Sequence, residues 1–176
     1  MLSKKHYEFL IEAIKKRKNI LIVGSTGSGK TTFTNAIIDS IVKIHPQHRL
    51  VIIEDTAEIQ CAAKNRILLR ATEKVGMLRL LKATMRLRPD RILIGEVRGK
   101  EALDLLKAWN TGHPGGCVTV HANSAEGGLI RIEQLIAEGT VANMKELIAE
   151  ALDVVVFIEK DSNRKKNNRS NRSQWL

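Results

Sequence analysis

The segment GSTGSGKTT, residues 24–32, constrains the possible folds of this chain more than any other part of its sequence. It satisfies the pattern G-x-x-x-x-G-K-[ST], follows the aliphatic run at residues 20–23 and leads into a helix-like segment. In this context the N–H groups of the loop point inward, and the helix presents the positive end of its dipole. The segment therefore predicts a phosphate-binding loop between a buried strand and a helix.

Two residues of this loop have specific expected roles within a general phosphate cradle. Lys30 is expected to reach the β- and γ-phosphates of a nucleotide, and the Thr31 hydroxyl is expected to ligate Mg²⁺. The full set expected to contact the nucleotide is Gly24, Ser25, Thr26, Gly27, Ser28, Gly29, Lys30, Thr31 and Thr32.

Short aliphatic runs that alternate with helix-like segments indicate the fold class. Runs typical of strands buried on both faces occur at residues 20–23, 50–54, 91–95, 116–122 and 154–159. Right-handed crossovers through the intervening helices predict an α/β fold, with a mainly parallel sheet covered by helices on both faces. The segment NRILLRAT, residues 65–72, is compatible with a further edge strand. One domain is predicted for residues 1–159, followed at residues 160–176 by a basic polar tail that is predicted to be disordered.

The net charge of +10 is concentrated at the two ends of the chain. Residues 1–19 contain six bases against two acids and residues 160–176 contain six against one, whereas residues 20–159 contain 17 bases and 16 acids. The globular part is therefore not expected to be a basic DNA-binding surface. The tail either binds nucleic acid or an anionic membrane surface, or is a solvated end.

The cellular compartment follows from the cysteines and from the apolar segments. Cys61 and Cys117 show no metal-ligand or C-x-x-C spacing, which is typical of reduced thiols. No stretch reaches the ~18 apolar residues of a membrane span, and no signal peptide precedes the fold. We expect a cytoplasmic protein, with peripheral membrane attachment left open.

Acidic residues follow two of the predicted strands. Glu54, Asp55 and Glu58 follow the second strand, and Glu96 follows the third. The carboxyl ends of adjacent parallel strands lie at one edge of a sheet, and phosphoryl transfer needs carboxylates near Mg²⁺ and the attacking water. We therefore predict that Thr31, Glu54, Asp55 and Glu96 bind the metal, and that Glu58 and Glu96 act in catalysis.

Basic and histidine side chains complete the predicted catalytic set. Lys30 belongs to it as the phosphate-loop lysine. Arg98 is expected to pair with Glu96 or Glu54, or to sense the γ-phosphate. His121 follows the fourth strand, where an imidazole can donate to a γ-phosphate oxygen or relay its loss to the next helix. Three histidines lack such a context and are expected on the surface: His6, His45 and His48.

Four motifs in order resemble those of the secretion ATPases of the type II/type IV superfamily. The phosphate loop is similar to the family's Walker A motif and EDTAEIQC to its Asp box. The segment MRLRPDRILIGEVRGKEALDLLKAWNTGHPGG resembles its Walker B region, and VTVHANSAEGGLIRIEQL its His box. The resemblance covers about residues 18–158 and is strongest to the conjugal-transfer ATPases of type IV secretion.

This resemblance implies a RecA-like P-loop fold and a Mg²⁺-dependent ATPase that drives pilus assembly or substrate transfer in conjugation. It implies a homo-hexamer that docks on inner-membrane secretion-system proteins at the cytoplasmic face. Glu96 matches the Walker B acid that polarises the attacking water. Other matched positions are Glu54, Asp55 and Glu58 of the Asp box, His113, His121 and Arg131 of the His box region, and Arg86, Arg88 and Arg98 around Walker B.

Three alternatives remain beside this interpretation. Family members carry an N-terminal domain that covers the nucleotide, whereas this chain begins one helix before the phosphate loop, so it could be a nucleotide-binding but inactive assembly module. A type II secretion or pilus-retraction ATPase is the second alternative, although type II enzymes usually carry a four-cysteine zinc module. A small nucleotide kinase is the third, but it would leave GEVRG and VTVHAN without a role.

Overall fold

The computed structural model describes residues 3–160 and the backbone of residues 172–175. The helices are α1 (Lys4–Lys15), α2 (Lys30–Ile44), α3 (Met77–Thr84), α4 (Glu101–Asn110), α5 (Ala125–Ala137) and α6 (Lys145–Ala151), with a 3-10 turn at Met85–Leu87. The strands are β1 (Ile20–Gly24), β2 (Leu50–Glu54), β3 (Arg66–Arg70), β4 (Arg91–Ile94), β5 (Cys117–Val120), β6 (Val154–Glu159) and β7 (Arg172–Trp175).

These strands form one sheet in the order β3-β2-β4-β5-β1-β6-β7. All neighbours from β3 to β6 are parallel, so the predicted α/β architecture and its five strands are confirmed. Burial on both faces holds for β1, β2, β4 and β5 but not for β6, in which buried residues alternate with more exposed ones. The segment at residues 65–72 does contain an edge strand, β3. Its residues alternate between exposed and half-buried, as expected where one side of a strand lacks a neighbour.

Two apolar clusters fix the helices to the two faces of the sheet. Strands β1, β2, β4 and β5 are buried along their whole length, because they lie between the two layers of helices. One cluster joins the sheet to α1 and α2, and the other joins it to α3, α4, α5 and α6. The core is therefore almost entirely aliphatic, with Trp109 as its largest fully buried side chain.

The tail differs in part from its prediction. Arg172–Trp175 form β7, which pairs antiparallel with β6 and occupies the free edge of that strand. An antiparallel strand can join the edge of a sheet through main-chain hydrogen bonds alone. The polar sequence of the tail therefore has no apolar pattern from which β7 could be predicted. Residues 161–171 and 176 lie outside the described residues, and disorder there stays a prediction.

Charge is also less evenly distributed in the fold than the near-neutral total of residues 20–159 indicates. Residues 64–88 contain eight Lys and Arg against one acid, Glu73. All eight bases are exposed, and none of them forms an ion pair with another described residue. The β3 edge of the sheet is therefore a basic surface, which the averaged count conceals.

Strand order also places four chain segments side by side at the carboxyl edge of the sheet. Since β2, β4, β5 and β1 are consecutive neighbours, the segments that follow them lie next to one another. Those segments contain the Asp box, the residues after β4, His121 and the phosphate loop. The topology alone thus brings the predicted site residues to one edge.

Candidate nucleotide-binding site

The phosphate loop leaves β1 and enters α2 through two glycines in the left-handed region of backbone conformation. Gly27 has a φ of +68° and Gly29 a φ of +103°, a conformation in which a side chain would be strained. Gly29 is also the N-cap residue of α2, and no side chain caps this helix end. The N–H groups of the first turn therefore remain available to a ligand, and this end of a helix favours an anion.

Lys30 is buried beneath the loop, and its ammonium group is fully hydrogen-bonded. Its Nζ donates to the carbonyl oxygens of Gly24 at 2.8 Å and Ser25 at 2.9 Å, and it lies 3.1 Å from Nδ1 of His121. An ammonium has three N–H donors, so these three partners use all of them. Burial lowers the pKa of Lys30, and the carboxylates of Glu96 and Glu58 oppose that shift.

His121 connects Lys30 to Glu96. Its Nε2 lies 2.8 Å from Glu96 Oε1. A carboxylate accepts hydrogen bonds and an ammonium donates them, so the partners assign the proton to Nε2 and leave Nδ1 as the acceptor. The imidazole therefore bridges Lys30 and Glu96, and His121 lies at the edge of the sheet where the sequence predicts it.

Arg98 extends the same series of charges to the Asp box. Its Nη2 donates to Glu96 Oε2 at 2.7 Å, and its Nη1 donates to Asp55 Oδ2 at 2.6 Å. Of the two predicted partners, Arg98 thus pairs with Glu96, and with Asp55 in place of Glu54. The hydrogen bond to Glu96 is the main cause of a raised pKa for Arg98. Because Arg98 is 63% exposed, these pairs can exchange with a ligand at low cost.

The acids of the Asp box separate into two roles. Thr31 Oγ1 donates to Glu58 Oε2 at 2.9 Å, so Glu58 is the acid beside the expected metal-binding hydroxyl. Glu54 is buried, and its Oε1 accepts the N–H groups of Glu58 at 2.9 Å and Ile59 at 3.1 Å. Glu54 therefore shapes the loop. Gly95 leaves room for Glu54, because a β-carbon at residue 95 would lie only 3.2 Å from the β-carbon of Glu54.

The phosphate loop and these side chains line a single cleft of about 580 Å³. Its walls include most of the predicted set: Thr26, Gly27, Gly29, Lys30, Thr31, Thr32, Glu54, Asp55, Glu58, Glu96, Arg98 and His121. Gly24, Ser25 and Ser28 do not line it. Ser28 is fully buried, with its hydroxyl directed into the protein beneath the loop.

Sequence reasoning alone misses two side chains that hold the site in place. Glu101, buried at the start of α4, accepts through Oε1 the N–H groups of Arg98 at 2.8 Å and Gly99 at 3.0 Å. Thr119 Oγ1 donates to the carbonyl oxygen of Gly95 at 2.7 Å. The available signal for Glu101 is its place in a first helical turn, where a carboxylate accepts free N–H groups.

Comparisons with known proteins identify the family of this chain. Residues 1–174 match the family described as Type II/IV secretion system protein. The probable conjugal transfer protein TrbB of Sinorhizobium fredii (strain NBRC 101917 / NGR234) is 60% identical over 148 residues, which are 84% of this chain and 46% of that protein. The chain belongs to the type II/IV secretion system protein family.

A more distant relative is similar to a smaller part of this chain, and this chain again covers only part of that relative. The type IV secretion system protein VirB11 of Bartonella quintana (strain Toulouse) is 41% identical over 129 residues, or 70% of this chain and 35% of that protein. The chain thus spans about half the length, or less, of the curated relatives it matches.

Solved structures confirm the RecA-like P-loop fold for this family member. The crystal structure of the VirB11 ATPase from the Brucella suis type IV secretion system, in complex with sulphate, has a TM-score of 0.85 and 27% identity. It covers 97% of this chain, and this chain covers 52% of it. The pilus retraction motor PilT with bound ADP has a TM-score of 0.67 and 27% identity, over 90% of this chain and 46% of that one.

Several positions matched to the family motifs lie away from the cleft. His113 precedes β5 at the amino edge, where its Nδ1 lies 3.0 Å from the carbonyl oxygen of Pro89. Arg86 and Arg88 are exposed beside the amino end of β4. Arg131 lies on α5, with Gln134 as its side-chain partner at 3.4 Å. Of the two His box histidines, the structure therefore brings only His121 to the cleft.

Proposed function

We propose that this chain hydrolyses ATP with Mg²⁺ as the motor part of a type IV secretion machine for conjugal DNA transfer or pilus assembly. The observation that carries the proposal is the contact series Lys30–His121–Glu96 within the cleft of the phosphate loop. It links Lys30, which is expected to contact the γ-phosphate, to Glu96, which is expected to contact the attacking water. The similarity to the conjugal transfer protein TrbB and to the type IV secretion system protein VirB11 supports the biological role.

Phosphate binding follows from the loop and from Lys30. The uncapped first turn of α2 offers N–H groups to the phosphates, and Lys30 supplies a positive charge once it leaves His121. Burial disfavours the charged form of Lys30 and so lowers its pKa, and an anionic phosphate partner would stabilise the ammonium in place of His121.

Mg²⁺ would be held by the Thr31 hydroxyl with Glu58, and it would neutralise charge on the β- and γ-phosphates. No group of three or more His, Cys, Asp or Glu among residues 3–160 is arranged to enclose a metal. That fits Mg²⁺, which binds one or two carboxylates together with phosphate oxygens and water. From the predicted metal-binding set of Thr31, Glu54, Asp55 and Glu96, this proposal keeps Thr31, and it adds Glu58.

Glu96 is the proposed acceptor for the attacking water. Its two oxygens contact His121 and Arg98, both of which are at least 42% exposed, so either contact can open towards a phosphate. The water oxygen then bonds to the γ-phosphorus, and the bond from that phosphorus to the bridging oxygen breaks. ADP leaves with the electron pair, and the proton of the water passes to Glu96 or to phosphate.

Assembly and location are part of the same proposal. By likeness to its family, the motor would act as a homo-hexamer with inner-membrane secretion proteins at the cytoplasmic face. Within residues 3–160 and 172–175, no helix combines the length and the apolar character that a membrane span requires.

The test is ATP hydrolysis with and without Mg²⁺ by the wild type and by Lys30→Ala. We expect slow Mg²⁺-dependent turnover that Lys30→Ala reduces by about 10³-fold, because the variant removes the buried charge aimed at the phosphates. Lys43→Ala is the matched control, an exposed lysine on the same helix, and it should retain turnover. Equal turnover in Lys30→Ala and the wild type would refute the proposal.

A passive nucleotide-binding module is the second candidate, and one observation favours it. Both oxygens of Glu96 already accept a hydrogen bond, from Arg98 and from His121, so a water would have to share an oxygen with one of these donors. Sedimentation with and without ATP and Mg²⁺ separates the two candidates. A monomer that binds nucleotide without turnover would support the passive module, and ATP-dependent assembly with turnover would support the motor.

A further inference from the structure

A second lysine, Lys160, lies against the phosphate loop from the side opposite to His121. Strand β6 runs parallel to β1, and Ile158 is the register partner of Gly24, the first residue of the loop. Lys160 comes two residues later, immediately beyond the end of β6. In the sheet order β5-β1-β6, the loop therefore has His121 on one side and Lys160 on the other.

The strand pattern directs Lys160 towards the layer that contains the loop. Ile158 packs in the same cluster as Ile37, Ile38 and Ile41 of α2. Because side chains of an extended chain alternate between faces, Lys160 leaves the backbone on the same side as Ile158. That is the face on which the loop turns into α2.

The distance between this amine and the loop is short. A β-carbon built on Gly27 would lie 3.2 Å from Nζ of Lys160, so the amine lies against the loop at the exposed residue Gly27. Lys160 is exposed, and no acid among the described residues forms an ion pair with it. Lys30, in contrast, is buried and has all three donors engaged.

We propose that Lys160 is a second phosphate-binding lysine, which contacts the polyphosphate of a nucleotide held by the loop. The proposal rests on the nucleotide site proposed above and adds a residue to it. As an exposed point charge on a flexible stem, Lys160 attracts phosphate without fixing its geometry. It therefore contributes to nucleotide affinity and takes no part in breaking the phosphate bond.

The experiment compares Lys160→Gln, Lys160→Arg and the control Lys107→Gln, in which an exposed lysine of α4 is neutralised. The dissociation constants of ADP, ATP with Mg²⁺ and adenosine are measured at low and high salt, with kcat for ATP. Lys160→Gln should weaken ADP and ATP about threefold to fivefold at low salt, and less at high salt, as expected for an exposed charge pair. Lys160→Arg and Lys107→Gln should retain wild-type affinities.

Three outcomes would overturn the proposal. They are unchanged ADP and ATP affinity in Lys160→Gln, an equal loss of adenosine affinity, and a fall in kcat without a change in affinity. Thermal unfolding of each variant excludes a general loss of structure. If Lys160→Gln has no effect while Lys30→Ala abolishes turnover, the role of Lys160 fails and the proposed ATPase stands. If neither variant has an effect, the proposed nucleotide site fails as well.

Discussion

The two edges of the sheet carry polar networks of opposite construction. At the carboxyl edge, charged side chains contact one another in the series Asp55–Arg98–Glu96–His121–Lys30, and most of them reach the solvent. At the amino edge, buried polar side chains bind main-chain groups. The first network can exchange partners with a ligand, and the second cannot without exposing unpaired carbonyl groups.

Arg91 is the centre of the network at the amino edge. It is fully buried, and its guanidinium donates to the carbonyl oxygens of Gly115 at 2.6 Å and Ile14 at 3.0 Å, and to Nδ1 of His48 at 3.1 Å. Burial, followed by the charge of Arg17, lowers the pKa of Arg91 to about 10. The group therefore remains charged at neutral pH, held by carbonyl dipoles.

Asn19 has the same kind of role a short distance away. Its Oδ1 accepts the N–H groups of Gly115 at 2.6 Å and Gly116 at 3.2 Å, and its Nδ2 donates to the carbonyl oxygen of Ala151 at 2.7 Å. These bonds join α6, β1 and the segment before β5. Substitutions at the amino edge should therefore change the free energy of unfolding, and substitutions at the carboxyl edge should change turnover.

The largest expected effect on stability comes from Arg91→Leu. The variant leaves the carbonyl oxygen of Gly115 buried without a donor and removes one donor of the Ile14 carbonyl oxygen, which keeps the N–H of Arg17. The expected cost is about 3 kcal/mol in the free energy of unfolding. Urea unfolding measures it, with Arg86→Leu as the exposed control. A loss below about 1 kcal/mol would show that the amino-edge network is dispensable, and it would contradict the assignment of stability to this edge.

A smaller effect, on turnover and with little change in stability, is expected from His121→Ala. The variant removes one partner of Lys30 and one of Glu96, so turnover should fall about tenfold. Because Lys30 loses a competing partner, ADP should bind as tightly as in the wild type, or more tightly. Measurements of kcat and of the ADP dissociation constant test this, with His113→Ala at the opposite edge as the control. Weaker ADP binding with unchanged kcat would contradict the bridging role.

The smallest effect is a pH dependence of stability from the amino edge. The rings of His45 and His48 stack with centroids 4.4 Å apart, and burial followed by the charge of Arg91 lowers the pKa of both below 6.5. Arg17 acts in the same direction on both, and Asp90 opposes it at His48. Between 6.5 and the lower folded value, the unfolded chain binds more protons than the folded one.

Stability should therefore be greatest above about pH 6.5 and fall as the pH drops below it, with a slope of at most about 1.4 kcal/mol per pH unit for each of the two histidines. Urea unfolding at several pH values measures the slope, and the double variant His45→Gln, His48→Gln should flatten it. A wild-type slope that the double variant retains would assign the pH dependence to other groups.

The sequence predicts the carboxyl edge better than the amino edge, for a physical reason. The phosphate loop is contiguous, and the rule that ligands bind at the carboxyl ends of parallel strands brings Glu96 and His121 to it. The orientation of single side chains is a different matter. Whether Glu54 or Glu58 faces Thr31 depends on which loop N–H groups need an acceptor, and that is decided only by the folded loop.

The amino edge carries no comparable signal. The sequence indicates that Arg91, at the start of an aliphatic run, is an exposed residue before a strand, because arginine is almost never fully buried without partners. The partners of Arg91 are carbonyl groups of Ile14 and Gly115, 77 and 24 residues distant in sequence. No local pattern encodes them. For the same reason His45 and His48 read as surface residues, whereas both are half-buried beside Arg91.

The most direct test of the central claim is ATP turnover and ATP binding by Glu96→Gln. The change keeps the size of the side chain but removes the charge that is proposed to accept a proton from water. We predict that turnover falls about 100-fold or more while the dissociation constant of ATP stays within about threefold of the wild-type value. Turnover within about twofold of the wild type would contradict the account, because the carboxyl-edge network would then not contain the acid that activates water.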